Sequence, residues 1–308
     1  MKVIVKVPAT TANLGPGFDA IGLALNLWNE TQFSIVPESG IQCSIFGEGS
    51  GKLPEDETNT IVAALIQIFS HARKPIPGLN IRCHNRIPMG SGLGSSSAAL
   101  LTGYLGGNAL LGSPFSTEEL LKIAIKTEGH PDNVAPAMLG GLVASLVKED
   151  CVIPVRLNSF NPSVPIHCTV VLPNFEFPTL EARRILPESI SRGDAIFNIS
   201  RAILVTEALR NGDLSLLGAT MEDRIHQPYR LALIPGALDA MDAAIKNGAK
   251  AVALSGAGPS LIAFSSAESP SVGLSMQDAF LTAGMSSRIF ELGISQQGAK
   301  VVVEDNES

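Results

Sequence analysis

The chain has 308 residues, of which 45% are hydrophobic and only 17% are charged, so it can bury substantial cores and is not a disordered polyelectrolyte. Its 22 basic and 29 acidic residues give a net charge of -7, which argues against a large nucleic-acid footprint and against attraction to an anionic membrane surface. Four cysteines stand far apart without a C-x-x-C pair, so neither a zinc site nor a disulfide framework is indicated, and we expect reduced thiols in a cytoplasmic protein.

Two apolar stretches are candidates for targeting or membrane segments, and neither has the required length. The run at residues 3–7 is broken by Lys6, so it is too short for a signal peptide. The weakly polar stretch 98–111 contains three glycines and is shorter than the roughly 20 apolar residues of a membrane span. We therefore expect the second stretch to be a helix buried inside the protein, and we expect no membrane partner.

Hydrophobic periodicity and turn residues predict a mixture of strands and helices. Val3, Val5 and Val7 alternate with other residues, as in a half-buried strand. Further strands are predicted at residues 31–36, 41–46, 81–84, 168–172, 251–254, 261–264 and 300–303. Helices are predicted at residues 61–71, 98–111, 117–126, 200–210 and 238–247. No repeat of 20–50 residues is visible, and the mixture is typical of the α+β class.

Two boundaries follow from local composition. Ser116 or Thr117 is a plausible N-cap for the helix at 117–126, with Glu118 or Glu119 behind it. Residues 157–165 contain two prolines and two asparagines, which makes them the best candidate for a linker. We therefore predict two domains, at residues 1–157 and 158–308.

The most informative stretch is the glycine- and serine-rich loop at residues 88–99, which leads into the predicted buried helix. Glycines let a backbone approach a ligand closely, and a helix N-terminus offers free N–H groups with a partial positive charge. These features indicate a phosphate-binding loop, in which a hydroxyl of Ser95, Ser96 or Ser97 can also reach Mg²⁺. The loop lacks the Gly-Lys-Ser/Thr of a P-loop, and Ser95 replaces the third glycine of a dinucleotide fingerprint. A tight turn that only caps a core helix is the structural alternative.

Polar residues after the first strand form a candidate substrate loop. Asn13 offers both a donor and an acceptor, and Asp19 can receive an ammonium group. An ordinary turn with Asp19 as a cap is an equally good interpretation of this segment taken alone.

The segment at residues 128–133 is a second candidate. Glu128 suits Mg²⁺, which prefers a carboxylate together with phosphate oxygens. Asp132 is able to orient or deprotonate a hydroxyl, Asn133 to hydrogen-bond the same hydroxyl, and His130 to bind a polar group. The alternative is that Asp132 and Asn133 cap the helix that follows Pro131, which is compatible with function.

Arginines in two later segments are candidates for binding a carboxylate. Arg183 and Arg184 follow Thr179, and Arg224 lies in the segment 222–228. Arginine suits a bidentate contact with a carboxylate, although an exposed surface position is the simpler interpretation of each residue alone. A glycine-rich turn at residues 254–260 either binds phosphate or allows two backbones to pack closely.

Taken together, these segments resemble the GHMP kinase superfamily over nearly the whole chain. Residues 88–99 are similar to its P-x-x-x-G-L-G-S-S-A-A signature, and residues 255–259 to its third motif. The segments that resemble in particular the homoserine-specific branch are 7–22, 128–141, 177–187 and 223–230. The resemblance implies an α+β fold with an N-terminal ATP-binding domain like ribosomal protein S5 domain 2 and a ferredoxin-like C-terminal domain, with ATP and substrate between them.

The resemblance also implies an activity and residue roles. It implies phosphorylation of the hydroxyl of L-homoserine by ATP, with Mg²⁺ as cofactor, in a cytoplasmic homodimer. Nucleotide contacts would come from Asn59, Pro88, Met89, Gly90, Ser91, Gly92, Leu93, Gly94, Ser95, Ser96 and Ser97, with Ser96 and Glu128 as Mg²⁺ ligands. Homoserine contacts would come from Asn13, Asp19, His130, Asn133, Thr179, Arg183 and Arg224. The ammonium would then meet Asp19, and the carboxylate Arg183 and Arg224. The hydroxyl would meet Asn133.

One departure from the superfamily bears on the chemistry. Several members carry a lysine just after the first-motif proline, where this chain has Ala9, Thr10 and Thr11. Transition-state charge would then be met by loop amides, Mg²⁺ and an arginine. Asp132 and Asn133 are both candidates for the catalytic group, and phosphoryl transfer also proceeds largely by positioning.

Three alternatives stay open at the level of sequence. The first is another GHMP kinase that acts on a different alcohol, such as mevalonate. The second is a nucleotide-binding regulator without turnover, against which Ser96, Glu128 and Asp132 speak. A dehydrogenase is more distant, because the dinucleotide fingerprint fails.

Overall fold

A computed structural model describes residues 1–148, 151–157 and 165–304 of the protein. Most of the predicted linker, residues 158–164, lies outside the described residues. The strands in the described ranges are β1 (Lys2–Ala12), β2 (Ile21–Ile35), β3 (Ile41–Gly47), β4 (Leu79–Asn85), β5 (Leu142–Lys148), β6 (Cys151–Arg156), β7 (His167–Pro173), β8 (Ala251–Leu254), β9 (Leu261–Ser265), β10 (Ser287–Gly293) and β11 (Lys300–Glu304). The helices there are α1 (Thr60–His71), α2 (Ser95–Leu110), α3 (Thr117–Glu128), α4 (Pro131–Leu139), α5 (Thr179–Arg184), α6 (Arg192–Asn211), α7 (Leu214–Thr220), α8 (Gln227–Leu231), α9 (Ala237–Lys246) and α10 (Pro270–Thr282).

The first sheet places the N-terminal loop at its end. Its strands run in the order β11–β1–β2–β4–β3, with β5 paired to β2 and β6 to β5. Val3, Val5 and Val7 are fully buried, as their alternation predicts. The strand continues beyond the predicted residues to Ala12, because a register shift between Pro8 and Ala9 lets pairing with β2 resume past the proline.

Helices α1 to α4 complete the N-terminal half. The predicted buried helix is confirmed as α2, in which Leu101 and Tyr104 are fully buried. The predicted cap of α3 is also confirmed: the Ser116 hydroxyl accepts from the Glu119 N–H at 3.3 Å, and the Glu119 carboxylate accepts from the Ser116 N–H at 2.8 Å. The hairpin β5–β6 was not among the predicted elements. Helix α4 is the helix expected after Pro131, but its N-cap is His130, so Asp132 and Asn133 lie in its first turn and do not cap it.

The second sheet has four antiparallel strands in the order β10–β7–β9–β8, and α9 and α10 pack against it. One apolar cluster lies between α10 and this sheet and contains Val171 and Phe280. A larger cluster joins the two sheets, since Phe33 of the first sheet and Phe264 of the second both belong to it. This shared core holds the loops of both sheets in fixed relation to each other.

The fold is α+β, as predicted, and the chain returns at its end to the first sheet. Strand β11 pairs antiparallel with β1, from Lys2 opposite Glu304 to Lys6 opposite Lys300. Across the ranges 1–148, 151–157 and 165–304, none of the helices combines the length and the apolar character that a membrane crossing requires.

Candidate active site

The N-terminal loop is held in an uncommon backbone conformation by its own polar side chains. Asn13, Leu14 and Asp19 have φ angles of 70°, 47° and 55°, in the left-handed region that non-glycine residues seldom adopt. The buried Asn13 side chain accepts from the Asp19 N–H at 3.0 Å and donates through Nδ2 to the Gly256 carbonyl at 2.8 Å. The first loop is therefore tied to the glycine-rich turn that lies 243 residues further along the chain.

The glycine-serine loop approaches the same turn. Gly92 has a φ of 77°, and a Cβ there would collide with the Ser255 carbonyl oxygen. The Ser255 hydroxyl donates to the Gly92 carbonyl at 2.8 Å. Gly90 has a φ of 59°, and a Cβ on it would meet no atom within 4 Å. Gly92 is therefore required by close packing, whereas Gly90 faces open space.

Glu128 lies across from the N-terminus of α2. Its carboxylate accepts from the Ser96 hydroxyl at 3.0 Å and from the Ser97 hydroxyl at 2.9 Å. Glu128 is the last residue of α3, and Gly129 ends that helix in the left-handed conformation. The negative charge thus lies near the positive end of the α2 dipole, together with hydroxyl oxygens that a hard cation prefers.

His130 and the buried Asp132 form a hydrogen-bonded pair at the start of α4. His130 Nδ1 lies 2.7 Å from Asp132 Oδ1, and the Asp132 residue is only 3% exposed. Burial alone would lower the pKa of His130, but the hydrogen bond and the charge of Asp132 outweigh it, so this pKa is raised. Within the described part of the chain, Asp132 Oδ2 has no hydrogen-bond donor.

Asn133 is oriented by the first strand. Its Oδ1 accepts from the Thr10 hydroxyl at 2.8 Å, which turns the amide so that Nδ2 is available. No acceptor for Nδ2 occurs in residues 1–148, 151–157 or 165–304.

Asp19 and Arg183 bind each other, although the sequence assigns them to opposite ends of a substrate. Both oxygens of Asp19 accept from Arg183, each at 2.8 Å, and each side chain is 35% exposed. Asp19 raises the pKa of Arg183 through this hydrogen-bonded pair. Two of the five guanidinium N–H groups are used, so the pair retains donors and acceptors for a further zwitterion.

These groups line one cavity of about 340 Å³. The predicted residues that line it are Asn13, Asp19, Gly90, Ser91, Gly92, Gly94, Ser95, Ser96, Glu128, His130, Asp132, Asn133, Thr179 and Arg183. The loop thus contributes to the same walls as the candidate substrate residues. This juxtaposition of a phosphate-binding type of loop with acidic and basic side chains is what a phosphotransferase requires.

A second cavity of about 260 Å³ adjoins the first through Gly90, Ser95 and Ser96. Asn59 and Met89 line it. Asn59 accepts from the Ile61 N–H at 2.9 Å as the N-cap of α1, so its side chain has a structural role in addition to any ligand contact.

Other predicted residues lie outside the first cavity. Pro88 and Met89 line a groove of about 1200 Å³ that shares Gly90 and Thr179 with the first cavity, and Leu93 and Ser97 are buried. The Arg224 guanidinium is half exposed, lies 3.4 Å from Asp194 and stacks on a phenylalanine ring at 3.8 Å. It is not among the residues that line the cavity.

Arg230 is not among the residues that the sequence predicts for the site. It is 1% exposed and lines the cavity from α8. Nε donates to the Ala182 carbonyl at 3.0 Å, and Nη1 donates to the Gly256 carbonyl at 3.4 Å and to His226 Nδ1 at 3.2 Å. Nη2 has no acceptor in the part of the chain that the structure describes. Burial, followed by the charge of Arg183, lowers the pKa of Arg230 to about 10.

The sequence does contain a signal for this residue, since Arg230 ends the segment 223–230 that resembles the homoserine-specific branch. The pattern of neighbouring residues does not predict that Arg230 is buried, however. Arg224 and Arg230 lie six residues apart in one polar segment. Only the packing of α8 against α5 and the turn at Gly256 makes Arg230 buried and leaves Arg224 exposed.

Comparisons with known proteins agree with this geometry. Family models described as the GHMP kinases N terminal domain and the GHMP kinases C terminal match residues 59–141 and 205–280. The homoserine kinase of Moorella thermoacetica is 45% identical over 97% of this chain and 99% of its own. That of Carboxydothermus hydrogenoformans is 39% identical over 96% of both chains.

Solved structures agree as well. The crystal structure of homoserine kinase from Cytophaga hutchinsonii is 32% identical, with a TM-score of 0.86 over 98% of this chain and 97% of that one. Lactococcus lactis galactokinase, solved in complex with galactose, shares the fold at 14% identity, with a TM-score of 0.72 over 97% of this chain and 95% of that chain. On sequence and structure alike, the chain belongs to the GHMP kinase family.

Proposed function

We propose that this protein transfers the γ-phosphoryl group of ATP to the hydroxyl of L-homoserine, giving O-phospho-L-homoserine and ADP, a step toward threonine. The observation that carries the choice of substrate is Arg230. A guanidinium that is almost fully buried, without a carboxylate contact in the described residues, is costly to maintain. An anionic group of the substrate, bound at Nη2, would compensate that cost.

The amino acid would bind as a zwitterion against the Asp19–Arg183 pair. Its ammonium group would donate hydrogen bonds to the Asp19 lone pairs that Arg183 does not use. Its carboxylate would lie between Arg183 and Arg230. Mevalonate carries a carboxylate but no ammonium group, and galactose carries neither. The presence of Asp19 beside two arginines therefore favours an amino acid over either alternative.

The nucleotide phosphates would bind at the loop before α2. Gly90 leaves room for a phosphate beside the backbone, and the first N–H groups of α2 point outward from Ser95 onward. With no lysine after the first-motif proline, loop amides and Mg²⁺, together with an arginine, would stabilise the transferred charge.

Ser96 and Glu128 fit a Mg²⁺ site, because a hydroxyl and a carboxylate oxygen 3.0 Å apart face the cavity and Mg²⁺ usually takes only one or two protein ligands besides phosphate. When bound there, the ion would neutralise charge on the phosphate oxygens. A cluster of three or more acidic, histidine or cysteine side chains suited to a metal is absent from the described residues, which accords with a site completed by the nucleotide.

Asp132 and Asn133 would act on the substrate hydroxyl. Asn133 Nδ2 donates to the hydroxyl oxygen and holds it in line with the γ-phosphorus, while the free Oδ2 of Asp132 takes the proton as the new P–O bond forms and the bond to ADP breaks. The hydrogen bond from His130 occupies Oδ1 and leaves Oδ2 for the substrate hydroxyl.

The test is a coupled ADP-release assay of the purified protein with homoserine, mevalonate or galactose as acceptor. We expect turnover that depends on homoserine and Mg²⁺. Turnover with mevalonate alone would reassign the substrate, and nucleotide binding without turnover on any acceptor would favour a regulatory protein.

We further propose that the enzyme is a cytoplasmic homodimer, as the resemblance implies. We place its domain boundary at residue 157, where the composition of residues 157–165 indicates a linker, apart from β11, which pairs with β1. Buried, unpaired thiols at Cys43, Cys83 and Cys168 support a reducing compartment. Light scattering of the purified protein should give twice the chain mass, and the mass of one chain would refute the dimer.

A further inference from the structure

His226 lies in direct contact with Arg230 but does not line the cavity. Its ring is fully buried and stacks on Phe18, with centroids 5.1 Å apart and planes 24° apart. Phe18 in turn packs under the guanidinium of Arg230, at 5.2 Å from the ring centroid. The histidine therefore belongs to the layer directly behind the cavity wall.

The two ring nitrogens of His226 have different partners. Nε2 lies 2.8 Å from the Gly15 carbonyl oxygen, which only accepts hydrogen bonds, so Nε2 carries a proton. Nδ1 lies 3.2 Å from Arg230 Nη1, which only donates, so Nδ1 carries a lone pair. The contacts thus select the neutral ring with its proton on Nε2. Burial lowers the pKa of His226, in agreement with a neutral ring.

The nearby carboxylate of Asp223 does not compete with the Gly15 carbonyl for the proton on His226 Nε2. Its carboxylate accepts from the backbone N–H groups of His226 at 2.9 Å and Gln227 at 2.6 Å, and from Asn198 Nδ2 at 2.6 Å. Its distance to His226 Nε2 is 3.6 Å, longer than the contact that Nε2 makes with Gly15. The carboxylate is satisfied by backbone N–H groups of its own turn and by Asn198, and it fixes the backbone from which the histidine projects.

The contacts of Arg230 leave one edge of the guanidinium free. Nε and Nη1 are occupied by the Ala182 and Gly256 carbonyls and by His226 Nδ1. All three acceptors are uncharged. A carboxylate in place of the imidazole would also orient the guanidinium, but it would neutralise the cation and weaken its attraction for an anionic substrate.

We propose that His226 is a positioning residue for substrate recognition: its unprotonated Nδ1 turns Nη2 of Arg230 toward the cavity and does so without neutralising the charge that binds the amino-acid carboxylate. The inference deepens the proposed function and rests on it for the identity of the ligand. It makes His226 a determinant of homoserine affinity that touches no substrate.

Three substitutions of His226 test separately the role of Nδ1, the role of Nε2 and the effect of a negative charge at this position. In His226→Asn, the side-chain oxygen takes the place of Nδ1 and still accepts from Arg230. In His226→Gln, the amide reaches the place of Nε2 and still donates to Gly15, but the acceptor for Arg230 is lost. His226→Asp has the shape of the asparagine variant and adds a negative charge.

We expect His226→Gln to raise the KM for homoserine about tenfold, the effect of losing roughly one hydrogen bond to a charged group. His226→Asn should stay within about threefold of the wild type. His226→Asp should raise that KM despite its acceptor, and KM for ATP should change less than about twofold in all three variants. Equal KM values for the glutamine and asparagine variants, or a parallel rise for ATP, would overturn the positioning role. An aspartate variant that binds homoserine as well as the asparagine variant would overturn the role of charge.

The unaltered protein supplies a readout that does not depend on the folding of variants. Long-range ¹⁵N–¹H spectra of histidine-labelled protein should show His226 protonated on Nε2 and bare on Nδ1. A proton on Nδ1 would refute the contact. Failure of the wild type to phosphorylate homoserine would refute the proposed function instead, since the tautomer is measured without substrate.

Discussion

Replacing Arg230 by methionine is expected to abolish recognition of the substrate carboxylate while leaving the fold intact. Methionine has a similar length and no charge, so the variant removes the hydrogen-bonding group and keeps most of the apolar contact with Phe18. Because Arg230 lines the first cavity but not the second, which Asn59 lines, ATP binding should be little affected.

The loss of activity follows from the burial of the contact. Removing one partner of a buried, hydrogen-bonded charge pair costs about 2–5 kcal/mol. Taking about 3 kcal/mol, kcat/KM for homoserine should fall roughly 150-fold, since each 1.4 kcal/mol is about a factor of ten.

The expected change in stability is small, because two contributions nearly cancel. A pKa of about 10 instead of 12.5 means that the buried cation is disfavoured by about 3 kcal/mol. The hydrogen bonds from Arg230 to Ala182, Gly256 and His226 each stabilise the fold by about 1 kcal/mol. The free energy of unfolding should therefore change by less than about 2 kcal/mol.

The assay measures kcat and KM for homoserine and ATP separately, together with urea unfolding. Arg224→Met is the matched control, since Arg224 contacts Asp194 outside the cavity and its loss should change kcat/KM less than about threefold. The reasoning is refuted if the two variants lose activity equally, or if Arg230→Met raises KM for ATP as much as KM for homoserine.

Three further predictions address the loop, the acidic group and the histidine. Gly92→Ala should lower the free energy of unfolding by more than about 2 kcal/mol, because Gly92 has a left-handed φ and a Cβ there would collide with the Ser255 carbonyl. Gly90→Ala should lower the free energy of unfolding by only about 1 kcal/mol but should raise KM for ATP. Similar urea midpoints for the two variants would contradict this. Glu128→Gln should lower kcat about 100-fold and raise the Mg²⁺ concentration needed for half-maximal rate, with little loss of melting temperature; an unchanged Mg²⁺ dependence would exclude the metal role. Asp132→Asn should lower the pKa of His130 in an NMR titration, because burial then acts without the opposing charge of Asp132. In the wild type, the stability contributed by protonated His130 is fully present below its unfolded pKa of about 6.5 and is lost as the pH rises through the raised folded pKa. The difference in free energy of unfolding between the wild type and His130→Gln, measured in urea, should therefore decrease as the pH rises through that range.

Local pattern was sufficient for the elements whose determinants are neighbours in sequence. The loop at residues 88–99 and the buried helix α2 follow from glycines and serines directly before an apolar run. The capping box of α3 depends on Ser116 and Glu119, three residues apart. Helix α6 was recognised only in part, at 200–210; its first half from Arg192 contains Gly193 and Asn198, two residues of low intrinsic helix propensity.

What the sequence by itself determined is therefore the chemical inventory: a phosphate-binding type of loop, a carboxylate for a cation, and acidic and basic groups for a small substrate. Only the tertiary structure decided which of these groups meet. Asp19 and Arg183 pair across 164 residues, and of two arginines in one short segment Arg230 is buried at the cavity while Arg224 faces solvent. The physical reason is that burial and orientation depend on the packing of α5, α8 and the turn at Gly256 against one another, which no window of neighbouring residues contains.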